Sequence, residues 1–226
     1  MTHIVLDSIP FVLDLEQLHQ RLHIQKGSPS AVDLAGEAQA IGRPKALYQP
    51  FPIEIKSPSE VILHGITLTS RILRVNLDSA ELAYPFIATC GIELETWSNK
   101  IEDFLVRFWA DAIKEQALNC AFCALEQHMS THPNLGHTSM MNPGSLEDWP
   151  LTQQRPLFAI LGDPQALIGV QLSDSCLMIP NKSVSGICFP TNASFESCQL
   201  CPRENCQNRR APYDESLFST RYQMTS

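Results

Sequence analysis

The 226-residue sequence contains no run of about 20 apolar residues, so nothing in it reads as a membrane-spanning helix. Basic residues are also in short supply: 16 Lys and Arg stand against 24 Asp and Glu, a formal charge of -8. That balance argues against binding to a phosphate backbone, whose affinity comes from Lys and Arg displacing counterions. No glycine-rich phosphate loop and no GxGxxG pattern occurs. Ser145 follows a glycine, but the GxSxG pattern of a nucleophile elbow is missing. The opening MTHIVLDSIPFVLDLE has no basic region and carries acids within its apolar stretch, so no signal peptide is expected and a cytoplasmic location is. What remains is a chain with 44% hydrophobic residues, enough for a sizeable core without disulfides. A disordered, collagen-like or small disulfide-stapled chain is excluded.

Eight cysteines are present, a high count for a compartment that keeps thiols reduced. Cys90, Cys176 and Cys188 stand alone in apolar surroundings and read as small buried hydrophobes. Cys120 and Cys123 fall inside a helical pattern, and Cys198, Cys201 and Cys206 crowd into nine residues of a polar tail.

Along the chain, the part up to about residue 45 reads as helical. Leu13, Leu15, Leu18 and Leu22 recur at helical spacing, and Ser30 with Asp33 resembles a capping box opening a second helix. From 48 to 97 the texture is β. FPIEIKS and EVILHG alternate, ITLTSRILRVNL continues in the same style, and GIELETW closes the region. ELAYPFIATC is compatible with strand or helix. Residues 98–129 predict one long helix, with Ser98 as N-cap and Ile101, Leu105, Phe108, Ala112 and Ile113 as its apolar stripe. A loop is expected from about 131 to 150, then a short helix over LTQQRPLFAILG. Extended segments follow, folding back around Pro180-Asn181-Lys182. The sum is an α+β fold, a single domain with an antiparallel β-sheet and flanking helices, over residues 1–190. Residues 191–226 form a cysteine-rich tail.

In that tail, Cys198 and Cys201 at CxxC spacing can present two thiolates to one metal, and Cys206 can return after four intervening residues. An iron–sulfur cluster, a structural zinc ion and free surface thiols all stay open. A fourth ligand, where needed, would come from Cys120, Cys123, Cys176 or Cys188.

The second half of the chain resembles a known family. Asp111-x-Ile113-x-Glu115, Pro143-Gly144, Leu172-Ser-Asp-Ser-Cys-Leu-Met-Ile-Pro180 and Ser183-Val184-Ser185-Gly186 follow one another in order. Together they resemble the activation (AdoMet-binding) domain of cobalamin-dependent methionine synthase, here with the cysteine-rich tail. The resemblance implies a role in returning cob(II)alamin to methylcobalamin on a separate methionine synthase or other corrinoid protein. It implies AdoMet as ligand, with Glu115 as the carboxylate of its site and Pro143, Gly144 and Ser145 as the loop against it. No Asp-x-His-x-x-Gly motif occurs, so the cobalamin is expected to come with the partner. Two positions depart from the family: Met140 stands where its loop has an Arg, and Ser145 where it has a Tyr. Methionine cannot replace a bidentate guanidinium. The alternative is a corrinoid-protein capping module with a structural metal and no AdoMet chemistry. No residue is assigned a catalytic role.

Overall fold

The computed structural model describes residues 3–22, 29–132, 135–192, 195–206 and 209–223. The chain opens with strand β1 (Ile4–Leu6), then helices α1 (Leu15–Leu22) and α2 (Pro29–Ile41). Asp14 starts α1 by accepting the Gln17 N–H at 2.9 Å. The Ser30 side chain, expected to cap α2, lies outside the described residues. Strand β2 (Lys45–Tyr48) follows and, like β1, falls where the sequence carries no strand signal. Strands β3 (Phe51–Lys56), β4 (Glu60–Leu63) and β5 (Ile66–Thr69) then follow as the alternation predicts.

The β texture then ends earlier than expected. Residues Arg71–Asn76 form helix α3, because Ser70 caps it, accepting the Leu73 N–H at 3.0 Å. Leu73 and Leu77, four apart, both bury on its inner side. ELAYPFIATC resolves as strand β6 (Leu82–Thr89). GIELETW is helix α4 (Ile92–Ser98), not strand. Gly91 turns the chain into it at φ +95°, where a Cβ would lie 2.3 Å from the Arg43 carbonyl oxygen. Glu93 and Glu95 then sit in the first turn, where the helix dipole favours them.

Ser98 therefore ends α4 and does not cap the long helix. That helix, α5 (Phe104–Ser130), is capped by Asp103, which accepts the Val106 N–H at 3.0 Å. Its expected stripe is only half right. Ala112 and Ile113 are buried, but Leu105 and Phe108 are 55% and 57% exposed. The buried face instead runs through Ile113, Ala117, Ala121 and Leu125. The expected loop after it contains strand β7 (Thr138–Met141). Helices α6 (Gln154–Ile160) and α7 (Pro164–Ile168), the short strands β8 (Gln171–Leu172) and β9 (Met178–Ile179), and strand β10 (Ser183–Pro190) complete the order.

The fold is α+β, an antiparallel sheet with flanking helices, as the sequence predicts. The strand path is β1-β2-β6-β3-β4-β5, with β10 pairing β6 and β7. Registers are antiparallel, for example Leu63 with Ile66 and Ile187 with Met141. By contacts the chain divides into two compact units, each made of three separate stretches, and β6 and β10 run from one into the other. The first (1–47, 87–129, 163–184) packs Leu18, Ala38, Leu94, Ile113 and Ala117 from four helices. The second (48–86, 130–162, 185–226) packs Leu63, Leu73, Trp149, Phe189, Phe195 and Tyr222. Each large aliphatic so buried contributes about 1.5–3 kcal/mol. Among the described residues, no helix is long and apolar enough to cross a membrane.

Candidate functional site

In the second unit, the Pro143-Gly144-Ser145 loop is a tight turn leaving β7. Gly144 has φ +85°, and a Cβ there would press on Leu151 at 3.1 Å. Its N–H donates to the Trp149 carbonyl at 2.7 Å, and the Ser145 N–H donates to the Asn142 carbonyl at 3.1 Å. Both loop amides are therefore spent inside the turn. Asn142 ties the turn to β10: its side-chain amide donates to the Ser185 carbonyl at 2.8 Å. Beside it, Gly186 lets the two strands close up. A Cβ there would sit 2.5 Å from the Met141 carbonyl oxygen and 2.9 Å from the Phe86 ring. Ser185 is buried, whereas its neighbours Ser183 and Val184 are only half-buried. The Pro-Gly and Ser-Val-Ser-Gly segments are thus two sides of one joint. Sequence reasoning passed over Asn142, although an Asn before a Pro-Gly turn is a recognisable turn signal.

Glu115 belongs to the first unit, on α5. Its two carboxylate oxygens each accept from Arg21 of α1 at 2.9 Å, a bidentate pair, and Lys182 approaches at 3.5 Å. The Arg21 hydrogen bonds hold the Glu115 carboxyl below its usual range, against an opposing effect of burial. Lys182 also pairs with Asp111 at 2.8 Å. Burial pulls its ammonium down, but the hydrogen bonds and charges of Asp111 and Glu115 outweigh this and raise it. One turn away, buried Lys114 donates to Glu95 at 3.1 Å and to the Asn181 side chain at 2.9 Å. Asp111 and Glu115 therefore do lie together, linked to the Asn181-Lys182 segment after Pro180. Arg21 was not foreseen: nothing local in α1 marks it as the partner of a residue 94 positions away.

The tail is built into the second unit. Residues Ser197–Leu200 form a 3-10 turn, in which the Glu196 and Gln199 side chains make a reciprocal capping box. The Arg209 guanidinium pins the following loop, donating to the carbonyls of Cys198 at 3.0 Å, Cys201 at 3.2 Å and Ala211 at 3.3 Å, and to that of Arg203. The Cys198 sulfur accepts the Arg210 N–H at 3.4 Å. That backbone donor leads the effects that lower the Cys198 thiol below its ordinary value. Cys201 and Ser145 line one cleft of about 530 Å³ in this unit, together with Tyr213, Phe218, Glu147 and Glu215. Asp148 also lines it, but its carboxylate is engaged at the start of α3, accepting from the Ser70 hydroxyl and from the Ile72 N–H at 3.0 Å.

All eight cysteines carry free thiols, and Cys90, Cys176 and Cys188 are buried, as their surroundings predict. Among the described residues, no group of three or more His, Cys, Asp and Glu stands in a metal-holding arrangement. Cys198, Cys201 and Cys206 are each partly exposed and all belong to the second unit.

No family model and no curated protein matches the sequence. Among solved structures, the chain overlays on the crystal structure of the MetH reactivation domain bound to AdoHcy with a TM-score of 0.65. The overlay covers 87% of this chain and 81% of that one, at 14% sequence identity. At that identity the likeness establishes the fold.

Proposed function

We propose that this protein supports the reductive reactivation of a separate cobalamin-dependent methionine synthase, docking on the corrinoid-bearing partner. The observation that carries the reading is a shared fold spanning most of both chains, with a reactivation domain whose structure holds AdoHcy. The ordered segments Asp111-x-Ile113-x-Glu115, Pro143-Gly144 and Ser183–Gly186 add to it, since the last two form one joint through Asn142 and Gly186. The residues that would meet AdoMet are Glu115, Pro143, Gly144 and Ser145. When bound, AdoMet supplies the methyl group that a reduced cobalt accepts. This chain's part is positioning: a carboxylate for the cationic ligand and a rigid turn against it.

A second reading keeps the partner and drops the methyl donor, making the protein a capping module. Three features favour it. Glu115 is already gripped by Arg21 and Lys182, the amides of Gly144 and Ser145 are satisfied within their own turn, and Met140 replaces an arginine. As they stand, these groups do not offer AdoMet a ready site.

The experiment mixes the protein with a methionine synthase core in the cob(II)alamin state and follows the corrinoid spectrum with AdoMet and reductant each present or omitted. Methylcobalamin formation requiring both this protein and AdoMet supports the first reading. A spectral change that this protein causes without AdoMet supports the second. No change under any condition overturns both.

A further inference from the structure

We propose that Cys198 and Cys201 form a thiol–disulfide exchange pair, with Cys198 as the attacking thiol and Cys201 as the resolving one, and with Cys206 outside the couple. The geometry comes from the 3-10 turn. The Cys201 N–H donates to the Cys198 carbonyl at 3.3 Å, closing the turn between them. Residues three apart in such a turn eclipse, with a rise of about 6 Å between their Cα atoms. A disulfide needs about 4.4–6.8 Å, so the pair can close without refolding the segment. The turn is held from both sides: the Glu196–Gln199 capping box fixes its start, and Arg209 clamps the carbonyls of Cys198 and Cys201.

The two thiols have different surroundings. Cys198 receives the Arg210 N–H on its sulfur, a contact that favours a thiolate. Cys201 faces the cleft that it shares with Ser145. Both are partly exposed, whereas Cys90, Cys176 and Cys188 are buried.

The reactant is a disulfide, RS–SR. The Cys198 thiolate attacks one sulfur, the S–S bond breaks, and RS⁻ leaves with the electron pair. The Cys201 thiolate then attacks the Cys198 sulfur of the mixed disulfide and expels the second RS⁻. The protein loses two hydrogens overall and closes one S–S bond. The two protons and two electrons end on two RSH molecules. Closure draws the Cys201 sulfur toward Cys198, which alters one wall of the cleft.

The test incubates the reduced full-length protein with oxidised glutathione, then alkylates, digests with trypsin and weighs the peptides. Cleavage after Arg203 separates Cys206 from the pair. The expected result, with alkylation done in denaturant, is the 183–203 peptide two hydrogens lighter and short of two alkylation sites. Fragmentation should place the bridge at Cys198 and Cys201, with Cys188 and Cys206 still alkylated. Cys201→Ser should accumulate the glutathione adduct on Cys198, and Cys206→Ser should close like the parent. Three results would overturn the proposal: a pair that stays fully alkylatable, closure that is lost in Cys206→Ser, or zinc or iron bound at one site per chain and lost on substituting any of the three cysteines.

Discussion

Arg21 grips Glu115 across 94 residues of sequence with two parallel hydrogen bonds of 2.9 Å. The arginine is half exposed, so the pair is worth no more than about 1 kcal/mol. It nonetheless occupies the carboxylate that an AdoMet site would use. Arg21→Ala is therefore expected to tighten AdoMet binding by up to about fivefold, the equivalent of that energy. Glu115→Gln is expected to abolish it. Equilibrium dialysis with labelled AdoMet reads both, and identical affinities in all three proteins would remove Glu115 from the ligand site.

The same pair sets a pH dependence. Glu115 is held below its usual range in the folded protein, chiefly by the Arg21 hydrogen bonds. A depressed carboxyl contributes stability that is fully present above its unfolded value, about 4.3. The contribution fades as pH falls through the lower folded value. The difference in melting temperature between the parent and Glu115→Gln should be present at pH 6 and should shrink on acidification below the unfolded value. A difference that is constant from pH 6 to pH 3 would mean that the carboxylate charge contributes nothing.

Gly186 and Gly144 are both confined, but by different neighbours. A Cβ at 186 meets the Met141 backbone oxygen at 2.5 Å, which cannot move without parting β7 from β10. A Cβ at 144 meets a flexible leucine at 3.1 Å, and the main penalty there is the positive φ. Gly144→Ala should cost about 1–2 kcal/mol, the left-handed penalty. Gly186→Ala should cost more, at or above the about 1–3 kcal/mol of overpacking. Urea unfolding gives both numbers, and the reverse order would show that the β7–β10 joint is soft.

The thiols sort by burial. Cys90 is fully buried, and burial pushes its thiol up to about 12 despite the nearby Lys114. A raised thiol contributes stability that is complete below its unfolded value and is lost as pH rises toward the folded one. At pH 8 an alkylating reagent should label Cys123 and leave Cys90, Cys176 and Cys188 untouched until denaturant is added. Labelling of Cys90 at the rate of Cys123 in the native protein would contradict this packing.

These features were unequally legible in the sequence. Strict alternation in β3 to β5 and leucine spacing in α1 carried their own signal, because burial there follows a local period. The helices α3 and α4 carry a strand-like local texture because short helices hold too few residues to display a period. Their caps, Ser70 and Gly91, were the better signal. Strand β7 was hidden in a polar loop because its pairing with β10 is a long-range event, fixed by Met141 opposite Ile187. The motif residues Glu115, Gly144 and Gly186 were visible as residues, while their tethers Arg21 and Asn142 are set by tertiary packing alone.

Tyr222 tests whether the tail is part of the second core. Its ring is 1% exposed and meets Phe195 edge-on at 6.1 Å, and its hydroxyl donates to the Asn76 side chain at 2.9 Å. Asn76 ends α3, and Arg71 at its start donates to the Tyr222 carbonyl at 3.2 Å, so Tyr222 joins the tail to that helix twice. Tyr222→Phe keeps the ring and leaves a buried carbonyl oxygen without that donor, an expected loss of about 1–3 kcal/mol. Tyr222→Ala also empties the ring's volume and should lose about 3–5 kcal/mol. Chemical denaturation of the three full-length proteins separates the two contributions. If Tyr222→Ala unfolds at the parent's midpoint, the tail rests on the surface and the Cys198–Cys201 turn has no fixed seat.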